Sequence, residues 1–170
     1  MLDPISNQDC HDILKIINLN KFKKKKILIL GGNSFLASYV QAVLSFVNCK
    51  IDSVSLNKHK GILKKINNKN LNFIQADLND EKKIKKILSK KFDFIFHFAT
   101  YGQPKKWKDN EISTINLNIN LLKKVLEHSV KHKSKVLYTS SAAVYKIPKK
   151  NKLINEKSPL AIGNFDSEIV

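Results

Sequence analysis

Three short stretches carry residue types that could do chemistry. Gly31-Gly32-Asn33-Ser34 follows four apolar residues, Ile27 to Leu30, and precedes Phe35, Leu36, Val40, Val43, Leu44 and Val47 at helical spacing. Glycines there let the chain turn tightly into a helix whose N-terminal N–H groups can meet a pyrophosphate. Asp77 supplies a carboxylate within the polar turn Ala76-Asp-Leu-Asn-Asp80. Ser140-Ser-Ala-Ala-Val-Tyr145 gathers hydroxyls, and Lys149 lies four residues beyond Tyr145. A tyrosine accepts a proton near neutrality only if an adjacent ammonium lowers its pKa from about 10. Pro148 separates Tyr145 from Lys149, so that pair cannot share a helical face. Cys10, Cys49 and the histidines show no metal-ligand spacing, so no metal is expected and both cysteines read as free thiols.

Positioning these turns takes a sheet. Ile27–Leu30 reads as a strand buried on both faces. Further strands follow at 51–56, 71–75, 92–98 and 135–139, the second less buried than the first by its alternation. Helices are predicted from 35 to about 48, over 61–68, after Asp80 (an N-cap) with Ile84, Ile87 and Leu88 inward, and over 112–126. In the last of these, Ile112, Ile115, Ile119, Leu122 and Leu126 recur at three-four spacing. Alternating strands and helices predict an α/β, doubly wound parallel sheet in three layers, Rossmann-like, with ligands at the C-terminal ends of the strands. The organisation expected is a helical extension over 1–24, capped by Ser6 or Asn7, then a dinucleotide-binding domain over 25–145. Residues 146–170 read as loop and the start of a substrate-binding region that is otherwise largely absent.

The composition narrows the class. The chain has 170 residues and 42% hydrophobic content, enough for one cored domain. Without a membrane-length apolar run or a signal-peptide pattern, it is expected to be cytoplasmic. The net charge of +17 suggests nucleic acid, but all 31 basic residues are lysine and they are dispersed along the chain. With no arginine for bidentate phosphate or base contacts, specific nucleic-acid binding is not expected.

Five turns together resemble those of the extended short-chain dehydrogenase/reductases, in the NAD-dependent epimerase/dehydratase group that modifies nucleotide sugars. Gly31-Gly-Asn-Ser-Phe-Leu-Ala-Ser38 resembles the group's G-G-x-G-F-I-G-S turn, departing at Ser34 and Ala37. Asp77-Leu78 is similar to its Asp-Leu pair beside adenine, and His97-Phe-Ala-Thr100 to its His-x-Ala-Ala run. Asn116 through Leu122 resembles its long-helix Asn with a following leucine-rich run. Ser140 to Tyr145 resembles Ser-Ser-x-x-Val-Tyr-Gly until Lys146 replaces the glycine. The resemblance spans about residues 25–156. Ala99-Thr-Tyr-Gly-Gln-Pro104 and the N-terminal helix look most like the branch of sugar dehydratases and UDP-glucuronate decarboxylases.

The resemblance implies cofactor contacts at Gly31, Ser34, Phe35, Leu36, Asn57, Asp77, Leu78, Phe98, Ala99, Thr100 and Asn116. It also implies that Ser141 hydrogen-bonds the sugar 4-hydroxyl or 4-keto oxygen. The expected cofactor is NAD. NADP stays open, because Asn57 stands where a ribose-binding Asp is usual and Lys58 and Lys60 are beside it. A nucleotide sugar is the implied substrate, and a homodimer is compatible. His97 is expected to be a packed, satisfied histidine, and Trp107 to cover the sheet edge.

The group's Tyr-x-x-x-Lys does not follow Ser141 here. One alignment puts Leu160 and Asn164 in its place, which makes the protein an inactive cofactor-binding or interaction domain. The other, preferred on spacing, treats residues 155–166 as the loop before the motif, so that the chain is the N-terminal part of a longer enzyme.

Overall fold

The computed structural model describes residues 4–66, 68–101, 104–141, 144–146 and 153–161. The chain divides into two compact units, residues 1–138 and 139–170. In the first, β1 (Lys26–Leu30), β2 (Lys50–Ser55), β3 (Leu71–Gln75), β4 (Phe94–His97) and β5 (Lys135–Tyr138) form one sheet in the order β3-β2-β1-β4-β5. Every pairing is parallel. The order reverses between β1 and β4, which places a crevice at the C-terminal ends of those two strands.

The unbroken apolar run of β1 follows from its central place. Successive side chains point to opposite faces, so Leu28 and Leu30 enter one core with Val54, Ile84, Ile95 and Leu121. Ile27 and Ile29 enter the other with Ala37, Leu44, Ile51, Phe96 and Phe98. The first core lies under α3 (Glu81–Leu88) and α6 (Leu121–His132), the second under α2 (Phe35–Leu44). Helix α1 (Pro4–Ile16) packs outside α2 through Cys10, Ile13, Leu14, Ala42 and Val43. Cys10 and Cys49 are buried free thiols, and burial pushes Cys49 up to about 11. Among the described residues no helix is long and apolar enough to cross a membrane.

Several local expectations change. Helix α1 starts at Pro4, so Ser6 and Asn7 fall inside its first turn instead of ahead of it. A proline fits there because a first-turn N–H has no intrahelical partner. The segment at 61–68 is a short 3-10 turn, Gly61–Lys65, and α2 stops at Leu44. Strand β2 is less buried than β1, as its alternation suggested: Asp52 is half-buried, although Ser53 and Ser55 are buried because β1 and β3 flank the strand. Asp80 caps α3 as expected, its side chain accepting from Lys83 N–H at 3.1 Å.

The largest change concerns residues 111–132. The single helix expected there is α5 (Glu111–Ile115), a π-helical turn over Asn116–Asn120, and then α6. Its core face is Leu117, Leu121, Val125 and His128. Of the five residues whose spacing marked the helix, Leu122 is half-buried, whereas Ile112, Ile115, Ile119 and Leu126 are exposed by 77%, 51%, 60% and 48%. Two apolar rows run along this segment, and the sequence periodicity marks the outward one.

The second unit is short. Within its described residues, Tyr145 and Leu160 form an isolated antiparallel bridge, and Asn155 to Ser158 make a turn closed by Ser158 N–H to the Asn155 carbonyl at 2.9 Å.

Candidate functional site

The crevice is built from the strand ends. Gly31 has φ +83°, a backbone that favours glycine. A Cβ added there would lie 2.7 Å from Ala99 N and 2.8 Å from Ala99 Cα, so the turn after β1 touches the chain leaving β4. Within the turn, Gly31 and Gly32 N–H both donate to the Val54 carbonyl, Asn33 N–H to Ser55 Oγ at 2.9 Å, and Ser34 N–H to the Gly31 carbonyl. These four N–H groups are therefore committed to holding the turn. The donors left for an anion are the first-turn N–H groups of α2, which have no intrahelical acceptor.

That geometry explains both departures from the glycine fingerprint. Ser34 has φ −69° and ψ 157°, ordinary extended backbone, and its Oγ caps α2 by accepting from Ala37 N–H at 3.4 Å. Ala37 is fully buried against Ile27 and Ile29, where a methyl fits between helix and sheet.

A cleft of about 410 Å³ lies in front of this turn. Gly31 and Ser34 line it from β1, Asn57 from β2, Asp77 and Leu78 from β3, and Phe98, Ala99 and Thr100 from β4. The remaining expected residues lie elsewhere. Phe35 and Leu36 are 75% and 57% exposed; Leu36 faces an apolar groove with Phe22 and Val40, so only the backbone N–H groups of this pair can serve the cleft. Asn116 sits in the π turn, its Oδ1 accepting from Asn120 Nδ2 at 2.7 Å, and does not line the cleft. Ser141 belongs to the second unit, is exposed, and accepts from Val144 N–H through its carbonyl.

Other cleft residues escaped the sequence reading. Tyr101 and Leu117 line it, as do Ser55 and Asn33. Asn33 Nδ2 donates to the carbonyls of Asn57 and Lys58 at 2.8 and 2.9 Å, and its Oδ1 accepts from Lys60 N–H at 3.2 Å. One amide thereby straps the β2 exit loop to the glycine turn. Its position between Gly32 and Ser34 was the available signal. Asp77 shapes its own turn, Oδ1 accepting from Asn79 N–H at 2.8 Å and from Asn79 Nδ2 at 3.2 Å.

His97 is fully buried at the end of β4, its ring 5.2 Å from that of Tyr138. Burial lowers its pKa, opposed by hydrogen bonds to the backbone of Leu117 and to its own backbone. It is a neutral packing residue at the base of the crevice. Trp107, on α4 (Pro104–Asp109), is 45% exposed and donates Nε1–H to the Tyr101 carbonyl, so it braces the loop after β4.

The sequence model of the NAD dependent epimerase/dehydratase family matches residues 27–164, from β1 through the cleft into the second unit. The chain belongs to this family. Similar proteins are consistent with that. The bifunctional polymyxin resistance protein ArnA of Wigglesworthia glossinidia brevipalpis is 28% identical over 157 residues, 91% of this chain and 24% of that protein. The UDP-Glc/GlcNAc 4-epimerase of Campylobacter jejuni superposes with a TM-score of 0.67 at 26% identity, over 81% of this chain and 43% of that one. The UDP-glucose 4-epimerase of Bifidobacterium longum, solved with NAD+ and UDP, gives 0.63 at 23%, over 79% and 42%. The chain thus spans about a quarter of the curated relative and under half of these two structures.

The epimerase/dehydratase cleft fits a dinucleotide on its own terms. It lies at the topological switch of the sheet, and no Cβ stands where Gly31 meets Ala99. The start of α2 leaves N–H groups without an intrahelical acceptor, where the helix dipole favours an anion.

Proposed function

We propose that this chain forms the cofactor-binding part of a nicotinamide-dependent enzyme that epimerises, dehydrates or decarboxylates a nucleotide sugar. The observation that carries the reading is the single cleft assembled from the ends of β1, β2, β3 and β4. A nicotinamide dinucleotide bound there would supply a hydride acceptor for the sugar C4. The N–H groups of Phe35 and Leu36 would hold its pyrophosphate, Asp77 and Leu78 would border its adenine, and Ser141 would orient the sugar 4-oxygen. Tyr101 and Thr100 narrow the cleft at the β4 end.

The competing reading is an inactive binding domain. Tyr145 and Leu160 pair in extended backbone, so neither takes part in the helical face that a Tyr-x-x-x-Lys pair shares.

Calorimetric titration of NAD+ and NADP+ into the 170-residue chain and its Ser34→Glu variant tests the site. A carboxylate at the start of α2 opposes the phosphates, and binding should weaken about tenfold or more. Unchanged binding in the variant would remove the turn from the site.

The outward row on α5 and α6 supports a homodimer. Ile115, Ile119, Leu126 and Val130 continue one stripe, and Lys123 and Glu127 beside it are an oppositely charged pair 3.9 Å apart. Two copies related by a two-fold axis would cover both stripes and exchange those charges. Sedimentation should show a dimer that Ile119→Lys converts to monomer; a wild-type monomer at tens of micromolar refutes it.

A further inference from the structure

The β2 exit is where a dinucleotide's adenosine ribose meets a Rossmann sheet. A carboxylate there accepts from the ribose hydroxyls and repels a 2′-phosphate, whereas cations in its absence accommodate one. We infer that this rim recognises a 2′-phosphorylated adenosine, so that the preferred cofactor is NADP and not NAD; the inference rests on the cleft being the dinucleotide site.

Three observations support it. Ser55, Leu56 and Asn57 line the cleft from the end of β2 and none carries a charge to oppose a phosphate, while Asn57 can donate to one through its amide. Lys58 and Lys60 follow it and are exposed. The loop holding them is fixed, because Asn33 bonds the carbonyls of Asn57 and Lys58 and the N–H of Lys60. Two lysines on a strapped loop lose less freedom on gripping an anion than lysines on an untethered one.

The nearby carboxylates do not restore the missing one. Asp52 lies in the body of β2 and is engaged by Asn72 Nδ2 and Lys90 Nζ, each at 2.9 Å. Asp77 lines the cleft from β3, one strand further out, and its Oδ1 already accepts two bonds from Asn79. His59, between the two lysines, stacks on Phe73 with ring centroids 4.1 Å apart, and burial lowers its pKa. The cations of the loop are therefore the lysines.

A chain of net charge +17 attracts any extra phosphate, so the test must separate position from charge. 2′,5′-ADP and 3′,5′-ADP carry the same charge and differ only in where the second phosphate sits. Titrated into the purified 170-residue chain, 2′,5′-ADP should bind about 10–100-fold tighter than 3′,5′-ADP, the worth of one or two charge-assisted hydrogen bonds. NADP+ should exceed NAD+ by a similar factor. Asn57→Asp should weaken 2′,5′-ADP about tenfold relative to 5′-ADP, whose free ribose hydroxyls can donate to the new carboxylate. Equal binding of the two bisphosphates would show general anion attraction and overturn the inference. NAD+ binding as tightly as NADP+ would overturn it while leaving the dinucleotide cleft intact. Failure of every nucleotide to bind would remove the cleft reading and the inference together.

Discussion

The turn after β1 and the loop after β2 meet at the cleft, and different forces shape them. At Gly31 the shape is steric: a positive φ and 2.7 Å from a notional Cβ to Ala99 N leave no room for a side chain. At Asn57–Lys60 the residues are mostly exposed, and the shape comes from three hydrogen bonds to one amide, Asn33. The first arrangement fixes the backbone entering α2 and leaves no room for a side chain at Gly31. The second leaves side chains free to change without disturbing the core, so ligand preference can be set there independently of the fold.

Gly31→Val is the severest way to break this comparison. Valine must adopt φ near +83° and push its Cβ into backbone that cannot yield. Left-handed strain and overpacking each cost about 1–3 kcal/mol, so urea unfolding should show a loss of about 3 kcal/mol or more. A loss under about 1 kcal/mol would mean that the turn relaxes and is not sterically fixed.

Asn33→Ala should act differently. Its three bonds are solvent-exposed, and their removal should cost about 1–2 kcal/mol by the same measurement. The larger consequence is functional: with the loop untethered, discrimination between 2′,5′-ADP and 3′,5′-ADP should fall severalfold while 5′-ADP binding holds. If discrimination survives, the loop is held by something other than Asn33.

The two regions also differed in how far the sequence disclosed them. Glycines after an apolar run state their purpose locally, and all five strands were legible from similar local signals. Asn33 bonds carbonyls 24 and 25 residues away, a pairing that exists only once β1 and β2 lie side by side. The apolar rows of 111–132 failed for a related reason. Both rows obey helical spacing and a π turn shifts the register between them, so periodicity alone could not say which row the sheet would cover. Ser53 and Ser55 alternate like a solvent-facing strand but are buried by neighbours contributed from elsewhere in the chain. Ser34 departs from the group's glycine, and only its backbone angles and its bond to Ala37 N–H reveal a helix cap.

The smallest expected effect concerns the floor beneath the glycine turn. His97 pairs in register with Leu30, immediately before Gly31, and burial depresses its pKa. A histidine whose folded pKa lies below its unfolded value of about 6.5 binds fewer protons when folded. Stability then rises with pH wherever the unfolded chain holds the extra proton. The contribution is complete above about pH 6.5 and is lost as pH falls below it, toward the depressed folded pKa. His59 and His132 shift in the same direction. The depressed carboxylates Asp80 and Asp93 act in a separate window, their stabilisation being lost only as pH falls below about 4. Denaturation midpoints measured between pH 7.5 and 5.5 should therefore decline for the wild type and decline less for His97→Asn. A His59→Gln control should keep most of the slope. An unaltered slope in His97→Asn would mean that the buried ring accepts a proton as readily as a free one, and that the wall behind Gly31 is more hydrated than its packing indicates.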